Sequence, residues 1–293
     1  MLRPELILII ATILWGTSWV PLHAFAGIGL SGMPMVLAAY GLIAIVSVPL
    51  LWYQRQQWRS QIWGVIAIIC FGGWANAALI SSLSLGEDLV RIMLLFYLAP
   101  VWAVIGGWLL LKEQLTPLRL GSLALALVGI ALTLGAGKDT FKTLTTIDWL
   151  ALSAGFAFAM NNLATRAADR VPLVSKTFAA FIGSALFAGA ACYLLGQWLP
   201  TLGVGSWLLV ALFAVGWLLV ATLAAQYGVT HLEAGRAAVL IVFELIAAVL
   251  SAAWLGDQEI GMREWIGATL VCIAAVMAGW PEKIEPELSR SLP

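Results

Sequence analysis

Stretches of about twenty apolar residues fill almost the whole of this 293-residue chain, and the connections between them are short. A helix needs roughly 20 such residues to cross the hydrocarbon core of a bilayer. Stretches of that length fall near residues 4–25, 33–53, 61–85, 88–111, 117–136, 147–168, 175–196, 206–230, 234–255 and 263–280. Inside lipid every backbone N–H and C=O must find a partner within the protein, which leaves only helices or closed barrels. The weak period-two alternation of a membrane β-barrel is absent, because the apolar runs are unbroken. Charged residues make up 10% of the chain, against about 25% in soluble domains. The predicted fold is an all-α membrane protein with ten transmembrane helices. No removable signal peptide is expected, since Met1-Leu2-Arg3-Pro4 leads straight into the first span.

The two halves of the chain align with each other. When Glu5-Leu6-Ile7 is set on Asp148-Trp149-Leu150, Trp15 meets Phe158, Ser18 meets Asn161, Trp19 meets Asn162 and His23 meets Arg166. Further along, Trp108, Glu113 and Gly121 meet Trp254, Glu259 and Gly267. Five spans in each copy is an odd number, so the second copy enters the membrane inverted. The expected organisation is a first five-helix repeat over 1–138, a linker over 139–146, an inverted repeat over 147–281 and a disordered cytoplasmic tail over 282–293. Inverted repeats of this kind belong to carriers that bind near the bilayer midplane, between the copies.

Charge placement sets the orientation. Eleven Lys and Arg, among them Arg3, Arg55, Arg59, Lys112, Arg119 and Arg166, fall on one side of the predicted membrane; only Arg91, Lys138, Lys142 and Arg263 fall on the other. Cytoplasmic loops carry the excess of basic residues, so both termini are expected in the cytoplasm. The net charge of zero points to no charged partner such as nucleic acid. Cys70, Cys192 and Cys272 are far apart inside apolar spans and read as packing residues.

No HExxH, GxSxG or P-loop occurs, and His23 and His231 have no second ligand at a metal-binding spacing. Neither an enzyme nor a metal or cofactor site is expected. Of fifteen tryptophans, eight fall near span ends, as an interfacial belt requires. Trp15, Trp74, Trp102 and Trp217 fall mid-span, where an indole N–H needs an acceptor and therefore faces other helices or a cavity. Thr17, Ser18, Asn76, Ser82, Tyr97, Asn161, Asn162, Gln226 and Tyr227 lie on much the same spans. A water-filled path through spans 1, 3, 4, 6, 8 and 9 would satisfy all of these groups, with spans 2, 5, 7 and 10 as scaffold.

Glu244 is the one acid well inside a span, where a carboxylate costs roughly 2.5–3.5 kcal/mol to insert. It can bind a substrate ammonium, take up a proton, pair with Arg236 or Arg91, or make a structural hydrogen bond as a neutral acid. With it, the residues named at depth form the expected substrate-binding set. Gly72-Gly73, Pro100 and Gly106-Gly107 are either bend points or close-packing sites. No GxxxG motif suggests a dimer, and a functional monomer is expected.

Ile13-Leu14-Trp15-Gly16-Thr17-Ser18, then Tyr97-Leu98-Ala99-Pro100-Val101 and Leu111-Lys112-Glu113, resemble the drug/metabolite transporter superfamily and within it the EamA-type exporters. The resemblance covers residues 4–280. Phe243-Glu244-Leu245 departs from the family, which often has Glu-Pro there. More narrowly the chain is similar to YddG-type aromatic amino acid exporters of bacterial inner membranes. That likeness implies export of aromatic and other neutral amino acids from the cytoplasm. Aromatic substrates gain from Trp and Tyr walls, and their ammonium from ring faces or a carboxylate. Two other readings stand beside it: a proton-coupled exporter of cationic drugs or other metabolites, and a non-transporting membrane scaffold.

Overall fold

The computed structural model describes residues 3–111, 116–133, 144–231, 234–256 and 260–278. Glu113, Glu259, most of the linker and the tail lie outside these residues, as do the side chains of Pro100 and Arg236. All regular structure among the described residues is helical: α1 (Pro4–Gly16), α2 (Trp19–Gly27), α3 (Gly32–Tyr53), the single turn α4 (Arg55–Trp58), α5 (Ile62–Leu85), α6 (Leu89–Phe96), α7 (Ala99–Leu111), α8 (Pro117–Thr133), α9 (Thr146–Ala167), α10 (Leu173–Leu195), α11 (Val204–Leu212), α12 (Val220–His231), α13 (Ala234–Leu255) and α14 (Met262–Ala278). A 3₁₀ turn at Arg59–Gln61 leads into α5, and a π-helical segment, Phe213–Leu219, joins α11 to α12.

Six helical stretches among the described residues are long and apolar enough to cross a membrane: Pro4–Gly27, Gly32–Tyr53, Arg55–Leu85, Leu89–Leu109, Leu173–Leu195 and Val204–Gly228. Leu120–Gly129 and Phe243–Leu255 are shorter apolar helical runs. Local chemistry explains the ends. Pro4 opens α1 at a position where its missing N–H has no helical partner to lose. Thr145 and Asp148 form a reciprocal capping box that starts α9. Gly196, at φ +64°, ends α10 in the left-handed region that a Cβ disfavours.

The helices pack in matched pairs. α5 lies against α9 and α10, and α9 against α6 and α7; on the other side α1 lies against α12 and α13. Exchanging the first five segments for the last five turns the α5–α9 contact into α12–α1, and the α7–α9 contact into α13–α1. The α3–α10 and α8–α14 contacts map onto themselves. These contacts repeat with the sequence, whereas the close α5–α10 contact has only a slight counterpart between α3 and the α11–α12 stretch.

Small residues set how close these helices come. A Cβ on Gly73 would sit 2.6 Å from the α-carbon of Gly183, and one on Gly72 would sit 2.6 Å from the Asn161 Oδ1. On Gly106 it would meet Met160 and Leu163 of α9. These glycines are close-packing sites inside uninterrupted helices; Pro100 alone of that group stands beside a break.

Candidate functional site

The first and fourth predicted spans are each broken near their middle. α1 ends at Gly16 and α2 begins at Trp19; α6 ends at Phe96 and α7 begins at Ala99. A proline lies four residues beyond a freed carbonyl in both cases. Pro21 has no N–H to offer Thr17, whose carbonyl instead takes the Val20 N–H at 3.1 Å. Pro100 likewise cannot serve Phe96, and Leu98 takes up the next turn through its carbonyl and the Val101 N–H, at 2.9 Å. The Phe96 carbonyl packs directly on the α-carbon of Gly155 in α9, where any side chain would collide with it.

Both breaks converge on one stretch of α13. Gly16 is pressed against the Glu244 carbonyl, the Ala247 methyl and the Ala248 nitrogen, so α1 and α13 touch main chain to main chain. The Tyr97 hydroxyl donates to the Ile241 carbonyl at 3.3 Å, one turn before Glu244 on α13. One turn farther along, Trp19 Nε1 donates to Ser251 Oγ at 2.9 Å. Trp217, within the π-helical segment, donates its indole N–H to the Leu14 carbonyl at 2.9 Å, just before the α1 break. Thr17 and Ser18 turn their hydroxyls back onto the Ile13 and Trp15 carbonyls.

Aromatic rings surround this junction. Phe96 meets Tyr97 and Phe158 at 5.7 and 5.4 Å, and Phe213 meets Phe25 and Trp217 at 5.6 and 6.3 Å. Trp15 packs partly buried against the same core. A cavity of about 10 Å³ lies behind Tyr97 and Val101, closed by Ser122 and Ala126 of α8 and by Val271 and Ala274 of α14. It has room for about one water molecule.

The structure thus brings Trp15, Thr17, Ser18, Tyr97, Trp217 and Glu244 together. A second group gathers on α5, α7 and α9. There Trp74 donates to Ser153 Oγ at 3.2 Å and meets Phe187 edge-on, while Trp102 meets Phe156 edge-on at 5.6 Å. Asn161 packs on Gly72; its Oδ1 and the Trp102 Nε1 are both buried without a protein partner. Asn76 is half-buried on α5. Four residues stand apart from both groups. Ser82 bonds the Leu79 carbonyl of its own helix, and Asn162 is exposed on α9. Gln226 and Tyr227 lie toward the end of α12, where Tyr227 stacks on His231 at 4.0 Å.

Glu244 does not pair with Arg91, contrary to one expectation from the sequence. The Arg91 guanidinium is held by Asp148 through two hydrogen bonds, of 2.8 and 3.0 Å, and is not available to Glu244. Asp148 is almost fully buried and also accepts the Thr145 N–H at 2.7 Å. This network, like the Ile241 carbonyl and Ser153, was not expected from the sequence. Pro21 was the available signal for the first break, since proline four residues after a carbonyl removes its helical donor. At the other end of the molecule Gln61 bonds Asp169 at 2.7 Å and the Arg170 N–H at 2.9 Å, which holds the Asp169 carboxyl below its ordinary range.

The family model for EamA-like transporters matches this sequence twice, over residues 2–135 and 145–280. The chain belongs to the EamA-like transporter family. It is a multi-pass membrane protein and a transporter of small molecules, built from two copies of the EamA unit. One solved crystal structure aligns over 94% of this chain and 95% of its own, with a TM-score of 0.62 at 20% identity, and so shares the fold. Among curated proteins there is no match.

Proposed function

We propose that this EamA-type protein is a secondary carrier that exports aromatic, and other neutral, amino acids by alternating access. In this reading it crosses the bacterial inner membrane ten times, as two inverted five-helix repeats with both termini in the cytoplasm, and works as a monomer. The observation that carries it is the meeting of two mid-membrane helix breaks on the Ile241–Ala248 face of α13. Each break places a helix C-terminus (α1, α6) and a helix N-terminus (α2, α7) inside the span. Those ends carry partial negative and positive charge respectively, which suits a zwitterion better than a lone ion. Trp15, Tyr97, Phe158 and Trp217 around the junction offer ring faces to an aromatic side chain and to its ammonium.

The test is counterflow of labelled phenylalanine in proteoliposomes, challenged with an excess of other amino acids and of quaternary organic cations. Competition by tyrosine and tryptophan, with loss of flux in Trp15→Ala and Tyr97→Ala, is expected. The carboxyl of Glu244 beside Tyr97 favours a second reading, export of cationic drugs. Competition by the cations alone would select it, and the absence of any counterflow with either class would sink both.

A further inference from the structure

We propose that the connection between α3 and α5 holds the phosphate of an anionic phospholipid between Arg55 and Arg59, with Trp52 and Trp63 against its glycerol and upper acyl chains. The site is separate from the α13 junction and independent of what the protein carries. Both α3, which ends at Tyr53, and the stretch that continues into α5 are long and apolar enough to cross a membrane. The short segment Gln54–Gln61 between them therefore stays in the headgroup layer. It contains two arginines and no acid, and the chain has no Asp or Glu anywhere from Leu6 to Gly86.

This segment is fixed in place. Trp58 turns inward, donates its Nε1 to the Leu51 carbonyl at 2.9 Å and packs on a small core of Leu51, Val65, Ile68 and Val171. Ser175 donates its hydroxyl to the Gln54 side chain. Gln61 donates to Asp169 at 2.7 Å and accepts the Arg170 N–H at 2.9 Å, so the segment is fastened to the connection between α9 and α10. The Arg59 N–H bonds the Arg55 carbonyl, which closes one helical turn and sets both arginines on one face. Both are exposed.

Arg55 lies over the Trp52 ring, 5.1 Å from its centroid, and gives one N–H to the Trp52 carbonyl at 3.2 Å. That bond orients the guanidinium and leaves its other N–H groups for a ligand. Among the described residues neither arginine has an acid within ion-pair distance, and Asp169 is taken by Gln61. Two like charges one turn apart repel each other, and the planar fork of each suits a phosphate oxygen pair. Trp52 and Trp63 are 67% and 80% exposed beside them, at the level where indole rings favour the lipid interface. A free phosphate would use the arginines and leave those rings uncovered, whereas a phospholipid uses both. A zwitterionic lipid would bring its ammonium to the same two cations, so the fit is to a lipid of net negative charge, of which phosphatidylglycerol is the simplest.

The test is photolabelling of the full-length protein in phosphatidylcholine vesicles that contain a trace of phosphatidylglycerol with a photoactivatable acyl chain. Label should appear on the peptide spanning Trp52–Trp63, and unlabelled phosphatidylglycerol should compete, while added inorganic phosphate should not. Arg59 makes no side-chain polar contact among the described residues, so Arg59→Gln keeps the fold even if Arg55→Gln, which uncaps α3, does not. In Arg59→Gln the label on that peptide, taken relative to the rest of the chain, should fall about fivefold. Arg263→Gln, on the other side of the predicted membrane, should leave it unchanged. Equal labelling by photoactivatable phosphatidylcholine, competition by inorganic phosphate, or labelling that persists in Arg59→Gln would overturn the proposal.

Discussion

The fourth and ninth predicted spans occupy equivalent places in the two repeats and behave differently. Carrying the Trp108–Trp254 alignment back along the chain sets Tyr97-Leu98-Ala99-Pro100 on Phe243-Glu244-Leu245-Ile246. The first of these breaks into α6 and α7; the second, α13, runs on from Ala234 to Leu255. The same holds for the first and sixth spans, where Pro21 aligns with Ala164 and α9 is uninterrupted from Thr146 to Ala167. The EamA unit therefore has one copy that supplies broken helices with polar ends and one that supplies continuous rods for them to pack against. Pro100 and Ile246 account for the difference, because only isoleucine can give an N–H to the residue four places back. The hydroxyl and the carboxyl are divided in the same way: Tyr97 faces a Phe in the alignment, and Glu244 faces a Leu.

Proline put into the continuous copy should do the most damage. Ile246→Pro should remove a hydrogen bond of α13 and kink it, at a cost of ~3 kcal/mol or more. It should leave little folded protein by size exclusion in detergent. Gly155→Val attacks the rod that receives the freed Phe96 carbonyl. The new side chain meets only backbone there, so a loss of about 3 kcal/mol is expected in thermal unfolding. Gly121→Ala, where the nearest atom to the added methyl is the Met277 Cε at 3.6 Å, should be close to neutral in the same assay. Asp148→Ala leaves Arg91 and the Thr145 N–H without their acceptor and should cost about 2–3 kcal/mol, less than a fully buried pair because Arg91 is 26% exposed.

The converse substitution makes the broken copy resemble the whole one. Pro100→Ile restores the missing donor, and we expect a folded protein whose transport falls at least tenfold as the α6–α7 break straightens. Unchanged flux would show that the break has no part in transport. A small effect, of opposite sign to the core losses, is expected from Tyr40→Phe, at the α3–α10 contact that maps onto itself. The Tyr40 hydroxyl is fully buried against Phe181 with no protein partner, so its removal should be neutral or stabilise by up to ~1 kcal/mol.

Much of the fold was legible because membrane burial leaves long, unambiguous signals. The predicted segments from 33–53 to 263–280 coincide with α3 through α14 to within a few residues at each end. The breaks were harder to see. Gly16-Thr17-Ser18 and Leu98-Ala99-Pro100 are apolar enough to sit inside a span, and hydropathy registers no interruption when a single N–H is missing. The candidate site was legible as a list of residues at similar depth, but not as a partition. Depth along a helix fixes how far a side chain lies into the bilayer, whereas its direction depends on helix rotation and neighbours. Hence Trp15 and Trp217 join the α13 junction, while Trp74 and Trp102 join a separate group on α5, α7 and α9.

Local composition alone makes this chain helical and sets where its apolar segments lie. Those properties follow from the free energy of apolar surface and backbone in lipid, which each segment meets on its own. Tertiary packing, by contrast, chose that both proline breaks meet on α13, that Arg91 belongs to Asp148, and that the Tyr97 hydroxyl bonds the Ile241 carbonyl. These are contacts between residues 57 to 144 positions or more apart, and which of many possible partners is chosen depends on the close approach allowed by Gly16, Gly73, Gly155 and Gly183.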